Sequence, residues 1–150
     1  MLADRRRLLA VAIPAAVLFL AAAFVLARFL TTENRERSRI YELLQSEASG
    51  DPRAVLAELA GCHRPCAAQV RRFLPRVAGP GVVKIARLDS GTAYSLGTET
   101  RPSRVVWVRG VHGRPMVQCV LVRRSGSVLT GRSISLLRVS APLADNEDPC

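Results

Sequence analysis

Lysine is almost missing from this chain: Lys84 stands alone beside 21 arginines among 22 basic side chains. With Ala, Val and Leu so frequent, that skew matches GC-rich bacterial coding, so arginine abundance alone is no sign of nucleic-acid binding. Aromatic residues make up only 5% of the chain. Base-stacking platforms need aromatics interleaved with cations, and without them no nucleic-acid partner is expected. There is no G-x-S-x-G elbow for a nucleophilic serine, and Gly79-Pro80-Gly81 lacks the Lys-Ser/Thr that completes a phosphate loop. Histidine occurs only as His63 and His112. Cys62, His63 and Cys66 supply three donors with no second cluster to close a tetrahedral set, so neither a metal nor another cofactor is expected. The chain is read as non-enzymatic.

What is present in excess is one apolar run. Leu8 to Ala27 (LLAVAIPAAVLFLAAAFVLA) holds no charge over twenty residues, and as a helix it would span about 30 Å, the thickness of a bilayer's hydrocarbon core. Pro14 lies in its first third, and lipid-embedded helices tolerate proline. The rival reading is a cleaved signal peptide with Met1 to Arg7 as its basic region and Ala21-Ala22-Ala23 as its cleavage site. An apolar signal region is usually about 7–15 residues, and this run is longer. The sequence therefore predicts a cytoplasmic basic flank at 1–7 and a transmembrane signal anchor at 8–30, meeting the membrane from Leu8 to Leu30. An extracytoplasmic domain follows at 31–140, with 31–39 (TTENRERSR) as a helical stalk or a frayed linker, and an acidic tail at 141–150.

Orientation rests on cysteine. The basic residues Arg5, Arg6 and Arg7 before the helix nearly balance Arg28, Arg35, Arg37 and Arg39 after it, which leaves the positive-inside rule undecided. Cys62, Cys66, Cys119 and Cys150 all lie beyond the anchor, and an even set in a small domain suits an oxidising compartment. The N-terminus is accordingly expected in the cytoplasm. In Cys62-His63-Arg64-Pro65-Cys66 the spacing is C-x3-C, between two helices and with no strand before it. A redox pair is normally C-x-x-C, so a local disulfide is the first reading, with free thiols or thiol–disulfide exchange as the others. Cys119 is expected mid-strand, either paired with Cys150 to tie down the tail or simply buried.

Charge is unevenly spread. Residues 31–63 carry a net of −2, residues 64–138 a net of +12, and the tail three acids without a base. Either this is a solvated surface or it is one positive face, with Arg71, Arg72, Arg76, Arg123 and Arg124 as its candidates and an anionic envelope component or an acidic protein as its partner.

Periodicity gives the elements. Ile40, Leu43, Leu44 and Ala48 mark the apolar face of a helix over 31–49, with Glu36 and Glu47 expected elsewhere on it. Ser49-Gly50 ends that helix, and Asp51-Pro52 opens a second, with Val55, Leu56 and Leu59 buried and Gly61 as its stop. A third starts near Pro65 and buries Cys66, Val70, Phe73, Leu74 and Val77, with Pro75 expected to kink or end it. Short β-rich runs follow: 82–88, 92–96, 103–109, 116–124 and 128–139, with turns at 89–91, 110–115 and 125–127 and a bulge at Gly131. Turns this short join antiparallel neighbours. The fold class is α+β, with two or three helices packed on a four- to five-stranded antiparallel sheet.

The helix break SGDPRAVLAEL (Ser49 to Leu59), followed by a helix and then an antiparallel sheet, resembles the NTF2-like (cystatin-like cone) superfamily. Actinobacterial envelope proteins of that superfamily carry such a domain behind one N-terminal membrane helix. Its enzymes place polar groups inside the cone, whereas this chain offers only Tyr41, Tyr94, His63 and His112. The resemblance therefore implies a binding or scaffold role: an extracytoplasmic accessory domain acting through a basic face or a cone pocket. The alternatives are an envelope thiol-disulfide oxidoreductase using Cys62 and Cys66, and a small-molecule or lipid binder.

Overall fold

The computed structural model describes the backbone of residues 2–92, 97–111, 113–127, 131–144 and 150, and the side chains of these apart from 2–11, 28–30, 32, 127 and 131. The chain divides into two compact units, Met1–Thr32 and Glu33–Cys150. Elements run in the order α1 (Leu2–Ser49), α2 (Pro52–Glu58), α3 (Arg64–Val77), β1 (Val83–Asp89), β2 (Glu99–Arg109), β3 (Met116–Ser127) and β4 (Gly131–Val139).

In the first unit α1 is helical with Pro14 inside it, and the described side chains from Ala12 to Ala27 are all exposed. Among the described residues no helix is long and apolar enough to cross a membrane. The described side chains of the apolar run are those of 12–27, and as a helix these cover only about 24 Å.

The second unit is α+β. Its sheet is a meander, β1-β2-β3-β4, with every neighbouring pair antiparallel. Three helices pack on one face through Ile40, Leu43, Leu44, Val55, Val70, Phe73, Leu74 and Val77, which meet Val105, Trp107, Val120, Val122 and Leu136 in one core. The polar stretch 31–39 is helical, as part of α1. Gly50 takes the left-handed position after it (φ +77°), and its N–H bonds Glu47 O at 3.1 Å. Asp51 caps α2 by accepting from Arg53 N–H at 2.8 Å; the helix then stops one residue before Leu59, short of Gly61. Leu59 leaves the helix because its backbone joins the sheet: it forms a parallel bridge to Leu136, and Ala60 N–H bonds Leu136 O at 2.7 Å.

Some local expectations are overturned. Pro75 does not end α3, which continues to Val77; in the last turn proline forfeits a single backbone hydrogen bond. Ser125 to Ser127 is strand rather than turn, pairing with Ser133, Arg132 and Gly131. Gly131 is therefore a paired residue and no bulge. The bulges fall at Ala86 and Leu137, where the β1–β2 and β3–β4 registers skip one residue. The run at 92–96 is not shown as a strand: Thr92 lies in the turn after β1, and 93–96, with Tyr94, fall outside the described residues. So does His112.

Alternation along the strands sets the two sheet faces. Gln118, Val120, Val122 and Arg124 of β3 face the helices, while Cys119, Leu121 and Arg123 face outward.

Candidate functional site

The largest departure from the sequence reading is on α1. Glu36 and Glu47 join Ile40, Leu43 and Leu44 on the core face, and all five are 0% exposed. The spacing i, i+4, i+7, i+8, i+11 is that of one helical face. The face carries an acid at each end because the sheet supplies a partner for each.

Among the described residues Glu36 accepts four hydrogen bonds. Ser103 Oγ donates to Oε1 at 2.7 Å. Ser90 Oγ and Thr92 Oγ1 each donate to Oε2 at 2.9 Å, and Arg124 Nη2 does so at 3.3 Å. The donors come from the turn after β1, from β2 and from β3, so one carboxylate ties three parts of the sheet to α1. Arg124 was expected on the exposed basic face; it is 1% exposed instead, because its position on β3 points inward and Glu36 compensates its charge.

Glu47 closes a second chain of contacts. Trp107 Nε1 donates to Gln118 Oε1 at 2.6 Å. Gln118 Nε2 donates to Glu47 Oε2 at 3.0 Å and to Ser140 O at 3.1 Å. Glu47 Oε1 has no hydrogen-bond partner among the described residues. Burial pushes the Glu47 carboxyl up to about 8, and the Gln118 hydrogen bond pulls weakly the other way. Glu36, Glu47, Gln118 and Arg124 are buried, so both networks tie α1 to the sheet from inside the core.

The four cysteines form two disulfides, Cys62–Cys66 and Cys119–Cys150, with Cα separations of 5.3 and 5.7 Å. The first closes the turn between α2 and α3, with Cys66 in the first turn of α3 and His63 at its N-cap, whose side chain makes no capping bond among the described residues. The second fixes Cys150 to the outward face of β3. Leu143 N–H also bonds Val117 O at 2.7 Å, so the segment after β4 is tied to the sheet at both points.

The remaining arginines do not share one face. Arg71, Arg72 and Arg76 are exposed on α3, in the helical layer. Arg72 and Arg76 border a cleft of about 380 Å³ with Phe73 and Ala141. Arg123 lies on the opposite side of the sheet with Lys84, Arg87, Arg104 and Arg138, by strand alternation. Asp89 sits among these and pairs with Arg87 at 2.9 Å. The positive charge is thus spread over two surfaces.

Among the described residues no three His, Cys, Asp or Glu side chains are grouped to hold a metal ion. No family model matches the chain, and neither a curated protein nor a solved structure does.

Proposed function

We propose that this chain is a single-pass membrane protein, anchored through Leu8 to Leu30 with its N-terminus in the cytoplasm. Its α+β domain stands outside and works as a non-enzymatic accessory or interaction subunit. The observation that carries the anchor is exposure. Ile13, Val17, Leu18, Phe19, Leu20, Phe24, Val25 and Leu26 are 49 to 72% exposed, and a contiguous apolar surface of that kind has no comfortable place in water. Lipid accommodates it, and the uncharged sequence from Leu8 onward has the length a bilayer asks for.

Both cysteine pairs in the second unit suit an oxidising compartment. The interaction role is supported by the direction of the polar groups: Glu36, Glu47, Gln118 and Arg124 are turned inward on one another, while the exposed charge is mostly cationic. The NTF2-like resemblance, carried by the helix break from Ser49 to Leu59, belongs to the same proposal.

Fractionation tests it. The full chain made in a bacterial host should stay with membranes through an alkaline wash, and protease added outside spheroplasts should digest the domain. A soluble chain, or one trimmed of its apolar run, overturns the anchor. A monomer free of any partner or lipid after mild detergent extraction overturns the interaction role.

A further inference from the structure

β1 is an outer strand of the sheet, and among the described residues one of its edges has no strand partner. Gly110 N–H bonds Val82 O at 2.9 Å, and antiparallel ladders alternate. The main-chain groups of Val83 and Ile85 therefore point away from β2. Arg37 Nη2 confirms that direction by donating to Ile85 O from the free side at 3.3 Å. Edges of this kind are templates for another strand unless something blunts them. Here the bulge at Ala86 blunts the far end and leaves Val83 to Ile85.

Along this edge runs the flank of α1. Two clefts open one after the other in the seam. One of about 530 Å³ lies between Arg37, Ser38 and Tyr41 on the helix and Lys84 and Ile85 on the strand. The next, about 410 Å³, lies between Gln45, Ala48 and Ser49 and Val82 and Val83. Helix positions rise as strand positions fall, so the clefts are consecutive parts of one groove. Gln45 Nε2 donates to Tyr41 OH at 3.0 Å across their junction. From residue 34 to residue 49 the helix rises about 22 Å, the length of about seven extended residues. Among the described residues no acid lines either cleft, and Arg37 and Lys84 both border the first, Arg37 from the helix and Lys84 from the strand edge, where its side chain leaves toward the outer sheet face.

We propose that this groove receives an extended segment of a partner protein, added to β1 as a further strand with an acidic side chain at the Arg37–Lys84 end. Main-chain pairing at Val83 and Ile85 supplies the register, and Tyr41 and Ile85 supply apolar contact, the usual division in strand addition. Arg37 exchanges the Ile85 carbonyl for the incoming carboxylate, a stronger acceptor for a guanidinium. A second copy of this chain is disfavoured as occupant, since it would bring Lys84 and Arg37 against their own counterparts. The inference rests on the interaction-domain reading and names the surface that reading uses.

The test is a displayed heptapeptide library panned on the full chain in zwitterionic nanodiscs, with enriched peptides resynthesised and binding read by fluorescence anisotropy. Enriched sequences should alternate β-branched residues and carry Asp or Glu at one end. The Arg37→Glu/Lys84→Glu chain should bind them at least tenfold more weakly, and Arg71→Glu/Arg72→Glu on α3 within twofold of the native chain. N-methylation of alternate peptide amides should abolish binding in one register and spare it in the other, which reads strand pairing without altering the protein. No enrichment, or binding indifferent to charge reversal or to N-methylation, overturns the proposal. So does self-association of the native chain that occupies the groove. A natural partner that still co-purifies with the charge-reversed chain removes this inference and leaves the broader reading standing.

Discussion

Glu36 and Arg124, 88 residues apart in the chain, meet inside the core with Arg124 Nη2 3.3 Å from Glu36 Oε2. Both side chains are essentially without solvent, at 0% and 1% exposure. A buried ion pair gives little net stability, yet breaking one partner leaves an uncompensated charge. Glu36→Leu should therefore cost about 3–5 kcal/mol of unfolding free energy, as should Arg124→Leu alone. The Glu36→Leu/Arg124→Leu double variant should recover much of that loss. Denaturant melts of the four chains measure it, and additive losses would show that the two residues are not coupled.

Glu47 makes stability depend on pH in a stated direction. Its carboxyl is raised from 4.5 to about 8 in the folded chain, so between those values the folded state keeps a proton that the unfolded state has lost. Stability contributed by this group is whole below the unfolded value and falls as pH climbs through the folded one, at up to about 1.4 kcal/mol per pH unit. Glu47→Gln should remove that slope and be more stable than the native chain at pH 9. Urea midpoints from pH 5 to 9 test this. Trp107 fluorescence should titrate near the same value, because Gln118 links the indole to the carboxyl.

The two disulfides should differ in weight. Cys119–Cys150 closes a separation of 31 residues and Cys62–Cys66 one of 4. On the loop-entropy account their removal costs about 4 and about 2 kcal/mol respectively. Serine replacements of each pair, followed by thermal melts, should rank them in that order.

Gly91 sits where a side chain has no room, since a Cβ there would strike the Pro102 carbonyl. Its neighbours Ser90 and Thr92 both donate to Glu36. Gly91→Ala should cost about 1–3 kcal/mol through forced displacement. Faster hydrogen exchange at Thr92 and Ser103 than in the native chain would place the damage at the Glu36 node.

The apolar face of α3, from Val70 to Val77, could be read from spacing alone, because a helix that packs on a sheet must repeat its apolar contacts every three or four residues. The cap at Asp51 and the stop at Gly50 were equally legible, since both are set by backbone groups within a few residues. Glu36 and Glu47 were not. Their spacing matched the buried face, but their charge argued for solvent, and only the tertiary arrangement brings Ser103, Arg124 and Gln118 to them.

By itself, then, the amino-acid order determined the apolar N-terminal run, the helix boundaries near Gly50 and Pro52, and the helices-then-meander order, all consequences of local sterics and hydrophobic period. The tertiary structure alone decided which polar groups went inside, that Arg124 left the surface while Arg123 stayed on it, and that a groove opens between α1 and β1. Burial of a charge depends on partners supplied from distant segments, and one residue of strand phase is enough to send a side chain to the opposite face.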